Sequence, residues 1–131
     1  MSLPSRTRRI SDETGAAAVE FALVAALLLT LVFGIFEFGR VYSELEVLTS
    51  AAREGARVAA VRGNADEVAE ATVAAATPYD LDGTPVADRT CDDSTSGEQV
   101  TVAWTQNFKL QVGLLPPVDK DFEIAGVFRC E

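Results

Sequence analysis

The sequence contains no histidine, and its 11 basic side chains face 20 acidic ones, for a net charge of −9. Without histidine the commonest general base is missing, and with it the Ser-His-Asp and Cys-His nucleophile pairs and most zinc sites. Enzymatic function is not expected, and no cofactor is implied. The acidic balance argues against nucleic acid as a partner, because a phosphate binder needs a basic face. Cysteine is limited to Cys91 and Cys130, too few to hold a metal without further ligands. With 131 residues the chain has room for one domain and not for two sizeable ones. Its apolar share of 48% is ordinary for a globular chain, and its distribution is not.

Charge is what the segment 21–36 lacks: FALVAALLLTLVFGIF is 16 residues without a single ionisable group. Widened to residues 16–39, the run is interrupted only by Glu20 and Glu37 near its ends. As a helix it spans roughly 36 Å, enough to cross a hydrocarbon core of about 30 Å. So short a chain has nothing else to cover such a helix on all sides, which argues against a buried core helix. A cleaved secretory signal fits its basic start but not its length or its end, since EFGRVYSELEVLTSAAREGARVAAV continues as helix. The short flank carries Arg6, Arg8 and Arg9, and positive short flanks stay cytoplasmic. Residues 41–131 hold 7 basic and 16 acidic groups and would lie outside.

The junction reads Thr14-Gly15-Ala16-Ala17-Ala18-Val19-Glu20-Phe21. A carboxylate at the apolar edge costs on the order of 2–3 kcal/mol on insertion scales, so Glu20 needs a partner or a role. If the chain were cut after Gly15, Ala16 would carry a new positive terminus, and Glu20 would be the fifth mature residue. That amine on one subunit could pair with Glu20 of a neighbour. The plainer alternative is a glutamate that snorkels to the headgroups. At the other end of the span Glu37 and Arg40 stand at i and i+3, the spacing of a boundary ion pair.

Three stretches in order carry a resemblance: GAAAVEFAL at 15–23, FGIFEFGR at 33–40 and AAREGAR at 51–57. Together they resemble the TadE-like proteins, pseudopilins of the tight-adherence (Flp-type) pilus machinery. The resemblance implies processing after Gly15 by a prepilin peptidase. It also implies a non-enzymatic role as a minor pseudopilin in assembling an adhesive surface pilus. Its partners would be other pilins or pseudopilins, the assembly platform and the lipid bilayer of the cytoplasmic membrane. Two departures stand out: Ala26 occupies the mid-span position where the family often has a kinking proline, and Asp12, Glu13 and Thr14 precede Gly15 where basic residues are more usual. A different class of function, a bitopic envelope protein with an outer ligand- or surface-binding module, would show itself as a deep polar pocket.

Past Arg40 the helix should continue as a stalk. Ala52, Ala56 and Ala60 form one small-residue stripe and Ala51, Gly55 and Ala59 a second. Small residues let another backbone approach closely. That backbone is either the protein's own sheet or a neighbouring subunit; the second option joins Ala52, Gly55 and Ala56 to Glu20 and Phe21 as a candidate assembly surface. Gly63 suits the left-handed residue past a helix end. Asn64 with Glu67 three residues on resembles a capping box opening a second helix over about 65–76, ended by Pro78.

Residues 78–98 turn to loop. Their carboxylates lack the spacing of an EF-hand, so no calcium site is expected. Val100, Val102 and Trp104 alternate with polar or small residues as in a half-buried strand, FKLQV at 108–112 extends it or forms another, and residues 122–130 read as a terminal strand. The expected fold is α+β and pilin-like, a long transmembrane helix and stalk with a small antiparallel sheet of two or three strands. The expected divisions are a leader at 1–15, a span at 16–39, stalk and second helix at 40–77, and loop and sheet at 78–131. Cys91 and Cys130, with 38 residues between them on the outer side, suit a disulfide that would contribute about 3–4 kcal/mol.

Overall fold

Between Ile10 and Ala60 there is no proline, and alanine, leucine, glutamate and arginine, all strong helix formers, recur throughout. The whole stretch is one helix, α1 (Ile10–Ala60), of 51 residues; at the standard rise it is about 76 Å long. The structure is a computed structural model that describes residues 10–61, 63–113 and 115–131. Arg6, Arg8 and Arg9, on which the expected orientation rests, and Arg62 lie outside the described residues.

α1 has two halves with different surroundings. From Gly15 to Gly39 no side chain is buried. From Leu48 onward one face is: Leu48, Ala51, Ala52, Ala56, Ala59 and Ala60 are all buried. The partners are a second helix and a sheet. Helix α2 (Ala65–Ala76) opens on Asn64, whose side chain accepts the Glu67 N–H at 2.9 Å while the Glu67 carboxylate accepts the Asn64 N–H at 3.0 Å. This reciprocal cap satisfies two donors that the first turn would otherwise strand. Val68, Thr72 and Ala76 are the buried face of α2.

The sheet contains β1 (Val86–Ala87), β2 (Gln99–Leu110) and β3 (Val118–Arg129) in the order β1-β2-β3, antiparallel throughout. β2 and β3 form a long hairpin paired from Gln99↔Arg129 to Leu110↔Val118. Along β2 the buried positions alternate, Val100, Val102, Trp104, Gln106 and Phe108, so one face lies on α1. The core falls into two clusters along this face. One joins Ala56, Ala59, Ala60 and Val68 to Val100, Val102, Cys91 and Cys130; the other joins Leu48, Ala51 and Ala52 to Trp104, Phe108, Ile124 and Ala76. At roughly 1.5–3 kcal/mol per fully buried large apolar side chain, the few large residues here matter greatly.

The hairpin runs alongside the helix. Glu131 donates its N–H to the Ala60 carbonyl at one end, and Val112 stands against Gly34 at the other. The helix rises about 39 Å from Gly34 to Ala60, close to the roughly 40 Å of a twelve-residue strand.

Three local expectations are corrected. Gly63 is not left-handed; positive φ occurs at Gly97 (87°) and Gly113 (55°). Gly63 is instead needed for space: its N–H reaches the Val58 carbonyl at 3.0 Å, and a Cβ there would sit 2.8 Å from that oxygen. The terminal strand begins at Val118 rather than at Phe122, because Asp119, Lys120 and Asp121 pair with Lys109, Phe108 and Asn107 of β2. The stretch 78–98 is not loop throughout, since β1 adds a two-residue edge strand to β2.

Candidate assembly surface and membrane boundary

The unburied half of α1 contains a stretch long and apolar enough to cross a membrane, and none of that stretch is buried by the rest of the chain. Phe21 is 75% exposed and Leu27 72%. Glu20 projects from the same half, exposed, and among the described residues no hydrogen bond or ion pair reaches it. Gly15 and Ala16 are helical and exposed, and a Cβ at Gly15 would meet nothing within 4 Å. A glycine inside a helix costs about 1 kcal/mol relative to alanine, so the backbone unwinds more easily at this bond than at the alanines after it.

Where the bare half meets the packed half, three groups converge on Arg40. Its guanidinium lies 2.8 Å from the Glu37 carboxylate and 3.4 Å from that of Glu44. It also donates to the backbone carbonyl of Lys109 at 2.8 Å. The expected i,i+3 partners are thus adjacent, and Arg40 additionally ties the end of β2 to the helix. Hydrogen bonding to Glu37 raises the Arg40 pKa further above its ordinary value, against a smaller opposing effect of burial. Phe38 and Tyr42 stack at the same level with ring centroids 6.4 Å apart.

The small-residue stripes are filled from within the chain. Ala52 and Ala56 are fully buried, and Gly55 is buried as well. A Cβ on Gly55 would come within 2.1 Å of the Thr72 hydroxyl on α2 and 3.4 Å of Val102 on β2. A Cβ on Gly126 of β3 would stand 2.2 Å from the Ala52 carbonyl carbon. The close-approaching backbone is therefore the protein's own. Ala52, Gly55 and Ala56 present no surface to a neighbour, which corrects their assignment to an assembly surface; Glu20 and Phe21 do present one.

Cys91 and Cys130 stand at disulfide distance, with Cα atoms 5.4 Å apart, both buried at the far end of the hairpin. Near the boundary a polar cleft of about 560 Å³ is lined by residues including Glu44, Asp80 and Asp82. Several of its polar groups are already engaged, though among the described residues the Asp80 carboxylate and the Lys109 ammonium make no side-chain hydrogen bond or ion pair. Gln106 accepts the Asp82 N–H and the Trp104 indole N–H and donates to the Asp80 carbonyl, and Asp82 accepts the Asn107 N–H. Sequence reading missed Gln106, a polar residue at an apolar position of β2, because the backbone groups it bonds lie 24 and 26 residues away. Among the described residues no group of three or more acidic or cysteine side chains is placed to hold a metal.

The family model described as TadE-like protein matches this chain over residues 15–57. Residues 15–57 are TadE-like. No curated protein and no solved structure matches the chain. The TadE-like segment covers about a third of the sequence, and its limits have structural meaning. It starts at the glycine before the apolar run, includes the Glu37–Arg40 pair, and ends where α1 is buried under the hairpin. The TadE-like pattern is thus a property of α1 alone. The hairpin and α2 lie outside it.

Proposed function

We propose that this protein is a membrane-anchored minor pseudopilin, a non-enzymatic subunit in the assembly of an adhesive surface pilus. The reading is carried by one coincidence: the TadE-like match falls on a single unbroken helix that is bare and apolar in its first half and packed in its second. A helix of that kind can leave the bilayer sideways into a bundle of similar helices without rearranging the domain it carries. A prepilin peptidase cuts after Gly15, and Ala16 then supplies a positive terminus one helical turn from Glu20. An amine and a carboxylate so close on one helix can each find the opposite charge on a neighbour, which offsets the cost of holding Glu20 in an apolar setting. Arg6, Arg8 and Arg9 keep the leader cytoplasmic, so the hairpin domain faces outward, where the cysteines oxidise. The partners are the peptidase, other pilins or pseudopilins and the assembly platform.

The polar cleft gives little support to a ligand-binding module, because Arg40, Glu44, Asp82, Gln106 and Asn107 in its lining already bond within the chain. The test is mass spectrometry of the protein from a host envelope that contains a prepilin peptidase. The mature chain should begin at Ala16, and Gly15→Val should leave the uncut form. Glu20→Ala should be cut and inserted normally yet enter filaments poorly. A wild-type chain still starting at Met1 or Ser2 would remove the processing step, and a Glu20→Ala subunit that assembles normally would return Glu20 to a snorkelling role.

A further inference from the structure

The hairpin of β2 and β3 points toward the bare half of α1, and its tip is as apolar as the helix beside it. From Leu110 to Val118 the sequence LQVGLLPPV carries no charge. Leu115 is 56% exposed and Val118 57%, with Pro116 and Pro117 exposed between them. Exposed apolar side chains in isolation mean little, but a contiguous group signals contact with something apolar. The position of this group says what that is. Val112 lies 3.5 Å from where a Cβ on Gly34 would be, and Gly34 belongs to the uncharged run of α1.

The charge boundaries of the two elements coincide. On the helix the first charges after the apolar run are Glu37 and Arg40; on the hairpin the charges flanking the tip are Lys109 and Asp119, cross-strand partners. Arg40 joins the two boundaries directly through its 2.8 Å hydrogen bond to the Lys109 carbonyl. Phe38 and Tyr42 stack there too, and aromatic residues concentrate where hydrocarbon meets water. Below this line the tip is uncharged and α1 is uncharged from Ile35 back to Phe21; above it Lys109, Asp119, Lys120 and Asp121 are exposed on the hairpin.

We propose that the β2–β3 hairpin tip is a second membrane contact: Val112, Leu115 and Val118 lie in the interfacial zone of the bilayer leaflet nearest the domain, beside the point where α1 emerges. The occupant of this surface is lipid, because the tip continues the bare apolar surface of the helix below one shared charge boundary. The contact rests on the reading of α1 as a membrane span. It fixes the rotation of the domain about the helix axis with respect to the bilayer, which a lone helix leaves free.

The full chain, reconstituted in phosphatidylcholine–phosphatidylglycerol vesicles with or without brominated acyl chains, tests this by tryptophan quenching. Trp104, buried in the domain, is retained as a constant background. Leu115→Trp, Leu28→Trp and Ser96→Trp each add one exposed emitter, at the tip, in the span and near the far end of the domain. The expected result is loss of the added emission in brominated vesicles for Leu115→Trp and Leu28→Trp, with a blue-shifted maximum, and no loss for Ser96→Trp. Quenching of Leu28→Trp without quenching of Leu115→Trp overturns the tip contact and leaves the span intact. An unquenched Leu28→Trp overturns the span and the tip contact with it. Quenching at all three positions means the whole domain lies on the surface, and overturns a contact specific to the tip.

Discussion

Gly126→Ala places a methyl group where the backbone of α1 already is. The new Cβ would lie 2.2 Å from the Ala52 carbonyl carbon, 2.3 Å from its oxygen and 2.4 Å from the Arg53 nitrogen. All three are backbone atoms of a helix, so no rotamer change relieves the clash, and β3 must move off α1. Overpacking of this kind costs about 3 kcal/mol at the upper end of its usual range. Alanine's better fit to a strand returns up to about 1 kcal/mol, leaving a net loss of about 2 kcal/mol. For a domain of this size that lowers the melting temperature by about 8–16 °C. The assay is thermal unfolding of the full chain in detergent, followed by Trp104 fluorescence, since Trp104 and Ile124 share the cluster that includes Ala52. Gly39→Ala is the control: a Cβ there meets nothing within 4 Å, and because alanine is the better helix former the melting temperature should hold or rise and not fall. A Gly126→Ala protein that melts like the wild type would refute the claim that the strand rides directly on the helix backbone.

Two further outcomes follow from the far end of the hairpin. Cys91→Ser, Cys130→Ser and the double variant should each lose about 3–4 kcal/mol of stability and by equal amounts, since one bond is lost in all three; full alkylation of both thiols in native, unreduced protein would refute the bond. Asp92 accepts hydrogen bonds from the Ser94 hydroxyl and from the Ser94 and Thr95 N–H groups, and these hold its carboxyl below the ordinary aspartate value, the Ser94 hydroxyl having the largest effect. Its contribution to the turn is therefore present above the ordinary value of about 3.9 and is lost as pH falls through the lower folded value. A carboxyl-carbon NMR titration checks this, and a midpoint at or above the ordinary value would contradict it.

The features legible in the sequence are those whose causes are local. Asn64 and Glu67 announce the start of α2 because a capping box involves four consecutive residues, and the apolar run of α1 is read from composition alone. The first residues of β3 were not legible, because Asp119, Lys120 and Asp121 face water on both sides and leave no alternation to detect. Their strand character comes from pairing with β2. The stripe of Ala52, Gly55 and Ala56 signalled a close backbone without saying whose, since the answer lies at Gly126 and Thr72, far along the chain. Arg40 was read through its neighbour Glu37, while its bond to the Lys109 carbonyl spans 69 residues and has no local signature. At the proposed assembly surface the same limit applies in reverse: Glu20 was conspicuous because it violates the local pattern, and among the described residues it has no internal partner.

The unbroken course of α1 makes the domain and its anchor one lever. No proline or loop intervenes between Gly15 and Ala60, and the hairpin is clamped to the upper arm from Arg40 to Ala60. Whatever angle the lower arm adopts, the domain adopts with it. A change in tilt of about 10° swings Ala60 sideways by about 7 Å over the roughly 39 Å that separate it from Gly34. Helices in bilayers of different thickness differ in tilt by amounts of this order. A small reorientation of the lower arm is thereby converted without slack into a displacement of the far end of the domain.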